Sequence, residues 1–190
     1  MSVQERKQRE RAERERLIVA TARELAESQG WDAVTTRRLA ERIEYSQPVL
    51  YSHFKGKDAI MAAVAVEGFA ELAAELRKAR TASTDPGRAL ADVATAYTEF
   101  AERRPALYDV MFTKAVDLPF ASPEAPAALQ EGFGELRETV RPLAGDDDLE
   151  VLTETFWSGL HGLLTLMRDG RLRREQHDLR LAVLLSRFSA

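Results

Sequence analysis

A short stretch that begins at Ser46 combines hydrogen-bonding and apolar side chains in an order that suits binding chemistry. If the stretch is helical, Leu50 and Phe54 pack inward. The outward positions are then Gln47, Val49, Tyr51, Ser52 and His53. Such side chains near the start of a helix match the donors, acceptors and thymine methyl groups of a DNA major groove, and the unpaired amides of a helix N-terminus suit phosphate oxygens. The chemistry indicated is recognition of duplex DNA.

The elements around this stretch predict a helix-turn-helix. Thr35 can cap a short helix that reaches Ile43, and Ser46 can cap a second one from Gln47 to about Phe54. Pro48 falls in the first turn of the second helix, where a missing amide proton costs little. A longer helix that ends near residue 29 precedes the pair, and a long amphipathic helix over residues 57–80 follows it. Two short helices joined by a tight turn in this setting are typical of DNA-binding proteins.

These residues resemble a known family. The segments TTRRLA at 35–40, YSQPVLYSHF at 45–54 and KDAI at 57–60 are similar to the DNA-binding signature of the TetR family of transcriptional repressors, over roughly residues 17–65. Two positions depart from the family pattern. Glu44 stands in the turn where the family usually has glycine, so it either adopts a left-handed conformation or the turn differs. Pro48 also replaces a common glycine and removes one backbone donor.

The resemblance assigns roles to individual residues. The implied phosphate contacts are Thr36, Tyr51, His53 and Lys57. The residues implied to face base edges are Arg37, Gln47, Pro48 and Val49. Ser46 and Ser52 complete the expected DNA-binding set.

A second resemblance lies downstream, in RPALYDVMF at 104–112 and FWSGLHG at 156–162. These segments are similar to a C-terminal domain type of TetR-like regulators that is named for its Trp-His-Gly residues. The resemblance implies a domain that binds a small-molecule effector, forms a dimer and releases DNA when the effector binds. The candidate pocket residues are Phe69, Leu72, Tyr97, Phe100, Tyr108, Met111, Phe112, Phe133, Trp157 and His161. The same aromatic residues could instead form an ordinary core, with His161 satisfied beside Trp157.

The last two predicted helices, over about residues 148–167 and 175–188, indicate self-association. The final helix is apolar on most sides, which calls for cover from two directions, and a second copy of the chain can provide it. Gly159 and Gly162 inside the preceding helix suggest close packing. The candidate interface residues are Phe156, Gly159, Leu160, Leu163, Leu181, Leu184, Leu185 and Phe188.

Composition excludes several classes of protein. Among 190 residues, 45% are hydrophobic, 31% are charged and none is cysteine, so disulfides and thiolate chemistry are excluded. Three dispersed histidines predict no metal site, and no cofactor motif occurs. No apolar run is long enough for a membrane span, and we expect a cytoplasmic protein without a membrane partner. Residues 1–57 carry a net charge of +3 within a total of −4, a weak sign of a nucleic-acid surface at the front.

Helical periodicity throughout predicts an all-α fold of about nine helices. We expect a charged extension at 1–16, a DNA-binding domain at 17–56 and a ligand-binding and dimerisation domain at 57–190. The Arg- and Glu-rich extension is either an exposed helix or an arm that enters a minor groove.

The function predicted is a ligand-responsive, homodimeric repressor of a palindromic DNA operator. An all-α small-molecule binding protein or enzyme with a vestigial helix-turn-helix is the alternative, although no nucleophile with a base in a recognisable frame supports catalysis. A regulator that activates transcription, or that responds to a protein partner, is equally compatible with the sequence.

Overall fold

The computed structural model of the protein describes residues 2–120 and 122–188. Within these residues the chain forms nine α-helices and no β-strand, which confirms the all-α prediction. The helices are α1 (Val3–Gln29), α2 (Thr36–Arg42), α3 (Gln47–His53), α4 (Lys57–Arg80), α5 (Pro86–Arg103), α6 (Pro105–Phe112), α7 (Ala127–Val140), α8 (Leu149–Arg168) and α9 (His177–Leu185).

The helices belong to two compact units, Met1–Gly68 with Arg104–Pro126, and Phe69–Arg103 with Ala127–Ala190. In the first unit, each of four different helices contributes a fully buried residue to the interior. These residues are Ile18, Leu39, Leu50 and Ile60. Because Leu50 is the central residue of α3, its burial fixes which face of α3 is turned to solvent.

The sequence leaves open whether the N-terminal segment is a helix or an arm, and the structure shows a helix. Residues 3–16 are the first turns of α1 and not an irregular arm. The helix begins with a capping box, in which the Ser2 hydroxyl accepts from the Glu5 amide at 3.2 Å and the Glu5 carboxylate accepts from the Ser2 amide at 2.6 Å. The helix is therefore stabilised at its first turn as well as in the core.

The start of α6 is held by polar groups of the same unit. The Glu27 carboxylate accepts hydrogen bonds from the amides of Ala106 at 3.2 Å and Leu107 at 2.9 Å. The indole of Trp31 donates to the Ala106 carbonyl at 2.7 Å. A carboxylate at a helix N-terminus satisfies amides that have no partner inside the helix and also favours the helix dipole.

The second unit is built around large buried side chains of α4, α5 and α8, among them Leu76, Tyr97, Phe100 and Phe156. A buried carboxylate ties α7 to α4: Glu135 accepts from Arg77 Nε at 2.7 Å and from Arg80 Nη2 at 2.9 Å. Two guanidinium groups offset the cost of removing this carboxylate from water.

The last helix is shorter than its predicted span of residues 175–188. A 3₁₀ turn over Arg174–Gln176 precedes α9, and the backbone tightens again after Leu185. There the amides of Arg187 and Phe188 donate to carbonyls three residues back. This tightening accompanies a contact of the Phe188 ring with Phe156, at 5.2 Å between ring centroids.

Within the described residues, none of the helices has the combination of length and apolarity that crossing a bilayer requires.

Candidate nucleic-acid interface

Local capping explains why α2 and α3 begin where they do. Thr35 caps α2 as predicted, because its hydroxyl accepts from the Arg38 amide at 3.2 Å. Ser46 occupies the N-cap position of α3 with extended backbone, but its side chain forms no capping hydrogen bond among the described residues. The prediction of a Ser46 side-chain cap is therefore wrong. Pro48 is the second helical residue and lacks the amide that an N-cap hydroxyl can use there.

The turn between α2 and α3 depends on one backbone conformation. Glu44 has φ of +58° and is the one non-glycine residue with positive φ among those described. The amide of the next residue, Tyr45, donates to the Ala40 carbonyl at 2.9 Å, which closes the end of α2. Of the two possibilities that the sequence leaves open, the structure has the left-handed one.

The outer face of α3 carries the side chains predicted for it except that of His53, which is turned toward the protein. Leu50 is fully buried, and the opposite side exposes Gln47, Pro48, Val49, Tyr51 and Ser52. Val49 is 37% exposed and Tyr51 is 50% exposed, which is high for apolar and aromatic residues. The N-terminal half of α3 therefore presents one amide and two apolar side chains to solvent. A major groove offers partners of both kinds.

Two expected DNA-binding residues of α2 lie beside this face. The Thr36 and Tyr51 hydroxyls are 3.4 Å apart, so α2 and α3 present two hydroxyl groups together. Arg37 is exposed, and its Nε donates to Glu41 at 2.9 Å. This hydrogen bond and the Glu41 charge raise the pKa of Arg37. The hydrogen bond to Glu41 uses Nε, and the guanidinium has further N–H donors on Nη1 and Nη2 for a base edge or a phosphate.

Two other expected phosphate contacts are turned toward the protein. The side chain of His53 is 6% exposed, and its Nδ1 lies 3.3 Å from Oε1 of Glu15. Lys57 Nζ donates to the Trp31 carbonyl at 2.6 Å. In this arrangement the two side chains hold α3 and the start of α4 in place. Their roles as phosphate contacts stay predictions.

Sequence reasoning missed the residues of α1 that hold the end of α3. Arg11 Nη2 donates to the Ser52 carbonyl at 3.4 Å, and Arg11 Nε donates to Glu15 at 2.8 Å. Arg11, Glu15, Ile18 and Ala22 recur at steps of three and four, and the last two are fully buried. This spacing continues the apolar stripe of α1 toward its N-terminus and could have indicated the contact.

The second unit contains a polar chain on α5 and α8. The Trp157 indole donates to the Tyr97 hydroxyl at 3.1 Å, and this hydroxyl lies 3.4 Å from His161 Nδ1. Burial, and to a smaller extent the charge of Arg168, lowers the pKa of His161. The imidazole is therefore favoured in its neutral form, which can both donate and accept hydrogen bonds.

The ten candidate pocket residues are divided between the two units. Those of the first unit are Tyr108, Met111 and Phe112. Those of the second are Phe69, Leu72, Tyr97, Phe100, Phe133, Trp157 and His161. Within the second unit, hydrogen bonds connect Tyr97 with Trp157 and His161.

The candidate interface residues on α8 and α9 have two different environments. Phe156, Leu160, Leu181 and Phe188 are buried within the subunit itself. Gly159, Leu163, Leu184 and Leu185 are half-buried. Residues buried by their own subunit support a surface from behind and do not form it. The sequence could not separate the two groups, because both recur at helical spacing.

An open cavity of about 700 Å³ lies between α8 and α9. Its lining residues are Ser158, Gly159, Gly162, Leu163, Gln176, Leu179, Arg180, Val183, Leu184 and Arg187. Leu179 and Val183 are 67% and 59% exposed, although both are aliphatic. A Cβ on Gly159 would lie 2.7 Å from Leu184 of the same chain, whereas a Cβ on Gly162 would have no described atom within 4 Å. Of the two glycines, Gly159 serves packing inside the subunit and Gly162 faces open space.

Two family profiles match this sequence. The profile of bacterial regulatory proteins of the tetR family matches residues 18–64, which include α2 and α3. The profile of the tetracyclin repressor-like C-terminal domain matches residues 90–187, more than half of the chain. The chain belongs to the TetR family. The match does not confirm the Trp-His-Gly subtype, which stays a prediction for this TetR-family regulator.

Relatives of this TetR-family chain match it over different lengths. It is 30% identical over 103 residues to the uncharacterized HTH-type transcriptional regulator YobS of Bacillus subtilis, which is 54% of this chain and 53% of that protein. It is 50% identical over 48 residues to the tetracycline repressor protein class C of Escherichia coli, which is 25% of this chain and 22% of that protein. The chain thus spans about half of the first relative and about a fifth of the second.

A solved structure shares the fold of this TetR-family chain. It is BioQ with its natural double-stranded DNA operator, at a TM-score of 0.65 and 22% sequence identity, covering 92% of this chain and 97% of that chain. At this level of identity the similarity concerns the fold.

Proposed function

We propose that this TetR-family regulator is a cytoplasmic homodimer that represses transcription from a palindromic operator and leaves the DNA when a small-molecule effector binds. The observation that carries the proposal is the solvent face of α3, where Gln47, Pro48 and Val49 are exposed and Leu50 is fully buried. A helix supported in this way can enter a major groove with its N-terminal residues toward the bases. BioQ, which has the same fold, was solved with its operator.

The predicted residues divide between base edges and phosphates. Arg37, Gln47, Pro48 and Val49 face base edges in this proposal. The phosphate contacts are Thr36, Tyr51, His53 and Lys57, and Ser46 and Ser52 complete the DNA-binding set. His53 makes its contact through Nε2 while Nδ1 stays beside Glu15, and Lys57 makes its contact after it exchanges the Trp31 carbonyl for a phosphate oxygen. The DNA-binding domain is residues 17–56, and residues 57–190 form the domain for the effector and the partner subunit.

The exposed face of α8 and α9 is the proposed dimer interface. Leu179 and Val183 leave aliphatic surface uncovered beside Gly162, and a second copy of the same face would bury it. The predicted Gly159, Leu163, Leu184 and Leu185 lie on or near this face, and the buried Phe156, Leu160, Leu181 and Phe188 support it. Two-fold symmetry would place two copies of α3 in successive major grooves, about 34–36 Å apart.

Effector response is the third part of the proposal. The candidate pocket residues of the second unit provide aromatic and apolar contacts through Phe69, Leu72, Phe100 and Phe133, and polar ones through the Tyr97, Trp157 and His161 cluster. α4 begins at Lys57, an expected phosphate contact, and continues to Arg80 as one helix. A coupling of about 1–3 kcal/mol would change operator affinity about 5- to 150-fold.

Selection from a random duplex library, followed by affinity measurement, tests the proposal. The full-length protein is expected to enrich a palindromic site. Gln47→Ala should weaken binding to that site about tenfold, because a well-made base contact contributes ~1–3 kcal/mol of discrimination. Affinity for random-sequence duplex should hardly change. Gln130→Ala, at an exposed glutamine of α7, is the matched control and should leave both affinities unchanged.

If no sequence is enriched at physiological salt, the helix-turn-helix does not read DNA, and the alternative of a small-molecule binding protein with a vestigial motif is favoured.

A further inference from the structure

We propose that the N-terminal extension, residues 3–16 of α1, is a second DNA-contacting surface that binds the phosphate backbone beside α3. This inference rests on the proposed function, because α3 has to lie in a groove for the extension to meet the flanking strand. The extension lies outside the matched region of residues 18–64. The inference therefore rests on residues that the family profile does not include.

The extension is held in a fixed register against α3. Arg11 Nη2 donates to the Ser52 carbonyl at 3.4 Å, and Glu15 lies 3.3 Å from His53 Nδ1. Both contacts are at the C-terminal end of α3. The capping box of Ser2 and Glu5 stabilises the helix at its other end. The extension is therefore a helix docked on α3 and not a loose arm.

The side of the extension that continues toward α3 carries no carboxylate in its first turns. Gln4, Lys7, Gln8 and Arg11 stand at helical spacings of three and four and form one face. This face continues into the buried stripe of α1 through Ile18. Amide and cationic side chains are hydrogen-bond donors and suit phosphate oxygens.

The charges of the extension are arranged unevenly around the helix. Arg6 lies 3.7 Å from Glu10, and Arg9 lies 3.8 Å from Glu13, so each of these two exposed cations has a carboxylate beside it on the other faces. Lys7 and Arg14 are exposed, are seven residues apart and have no ion-pair partner in the described part of the chain. Seven residues are close to two helical turns, so both cations lie on nearly the same side. Charge balance over the whole segment hides this arrangement.

The dimensions also suit a duplex. The helix rises about 1.5 Å per residue, so the turns before Arg11 extend about 12 Å past its contact with α3. Duplex DNA carries a charge for every ~1.7 Å of its axis, so more than one phosphate would lie within reach of such a segment.

The test compares two double variants that remove the same charge from the same helix. K7Q/R14Q removes the two cations that have no ion-pair partner among the described residues. R6Q/R9Q removes the two cations that lie beside Glu10 and Glu13. Glutamine has nearly the helix propensity of lysine and arginine, so both variants should fold, which circular dichroism checks. K7R/R14K keeps both charges and serves as the rescue variant. Arg11 is left intact because it holds α3.

Affinity is measured against salt for two probes, a random-sequence duplex of about 30 base pairs and the selected operator with flanking sequence. Log affinity falls with log salt, and each lost phosphate contact makes this negative slope shallower by about 0.9. K7Q/R14Q is therefore expected to reduce the magnitude of the slope by about 1.8 on both probes. At moderate salt its affinity should fall about tenfold. R6Q/R9Q should reduce the magnitude of the slope by less than half as much, and K7R/R14K should match the wild type.

Equal losses in the two double variants would overturn the inference, because they would indicate an unspecific effect of net charge. Unchanged binding in K7Q/R14Q would overturn it as well. Failure of the proposed function is a separate result: the Gln47→Ala experiment would show no sequence preference, while the two double variants could still differ on the random duplex.

Discussion

At the scale of single residues, Glu44 is a residue with a Cβ in the turn between α2 and α3, at a position where the resemblance to the TetR family implies glycine. The backbone there has φ of +58°, a region that residues with a Cβ adopt at a cost. The buried residues Leu39 and Leu50 on either side anchor α2 and α3, and so hold the turn between them. Surrounding structure of this kind can maintain a strained residue.

Relief of this strain is predicted to stabilise the protein. Glu44→Gly should raise the free energy of unfolding by about 1 kcal/mol, since glycine adopts positive φ without the steric penalty. Glu44→Ala is the matched control, because it removes the same side chain and keeps the Cβ. Urea denaturation of both variants gives the comparison. An alanine variant as stable as the glycine variant would show that the turn carries no such strain.

At the scale of elements, close packing decides where glycine is required inside a helix. Gly68 of α4 faces α6, and a Cβ there would lie 2.6 Å from Met111 Sδ and 2.8 Å from Leu107 Cδ1. Both neighbours are 1% exposed and have little room to move. Gly134 of α7 has no described atom within 4 Å of such a Cβ.

The second prediction compares these two glycines. Gly134→Ala should stabilise the protein by up to ~1 kcal/mol, because alanine is the better helix former. Gly68→Ala gains the same propensity but overpacks the contact with α6, which costs about 1–3 kcal/mol. We therefore expect Gly68→Ala to lower the free energy of unfolding by about 1 kcal/mol, as measured by denaturation. Stabilisation by both substitutions would mean that α6 can shift away from α4 at little cost.

The elements differ in how well local sequence predicts them. The bounds of α4 agree with prediction because Lys57 follows a glycine and the apolar stripe runs unbroken to Arg80. The end of α9 was predicted three residues too late, since apolar spacing continues to Phe188. There, contact of Phe188 with Phe156, 32 positions away in the chain, accompanies the tighter backbone. Local propensity does not contain such a contact.

At the scale of the whole molecule, the face of α8 and α9 offers a test of self-association. Gly162→Ala should leave the subunit as stable as before, or more stable, because nothing within the described chain meets the added methyl group. In the proposed dimer the same methyl group would overpack the interface, and the dimer dissociation constant should rise about tenfold. Sedimentation equilibrium measures this constant.

Gly134→Ala is the control for this experiment, because it makes the same helical change away from the α8 and α9 face. Its dimer dissociation constant should equal that of the wild type. A dissociation constant that Gly162→Ala leaves unchanged would place Gly162 outside the interface. A wild-type protein that is monomeric at all working concentrations would contradict the dimer itself.

The amino-acid sequence by itself determined the helices, the capping of α2 and the outward face of α3, because caps, turns and apolar spacing act over a few residues. Tertiary structure decided where His53 and Lys57 point, since their partners Glu15 and the Trp31 carbonyl are 38 and 26 positions away. It also decided which of the apolar residues of α8 and α9 face solvent. Helical spacing is the same for residues that meet the subunit's own core and for residues left uncovered, and packing alone distinguishes them.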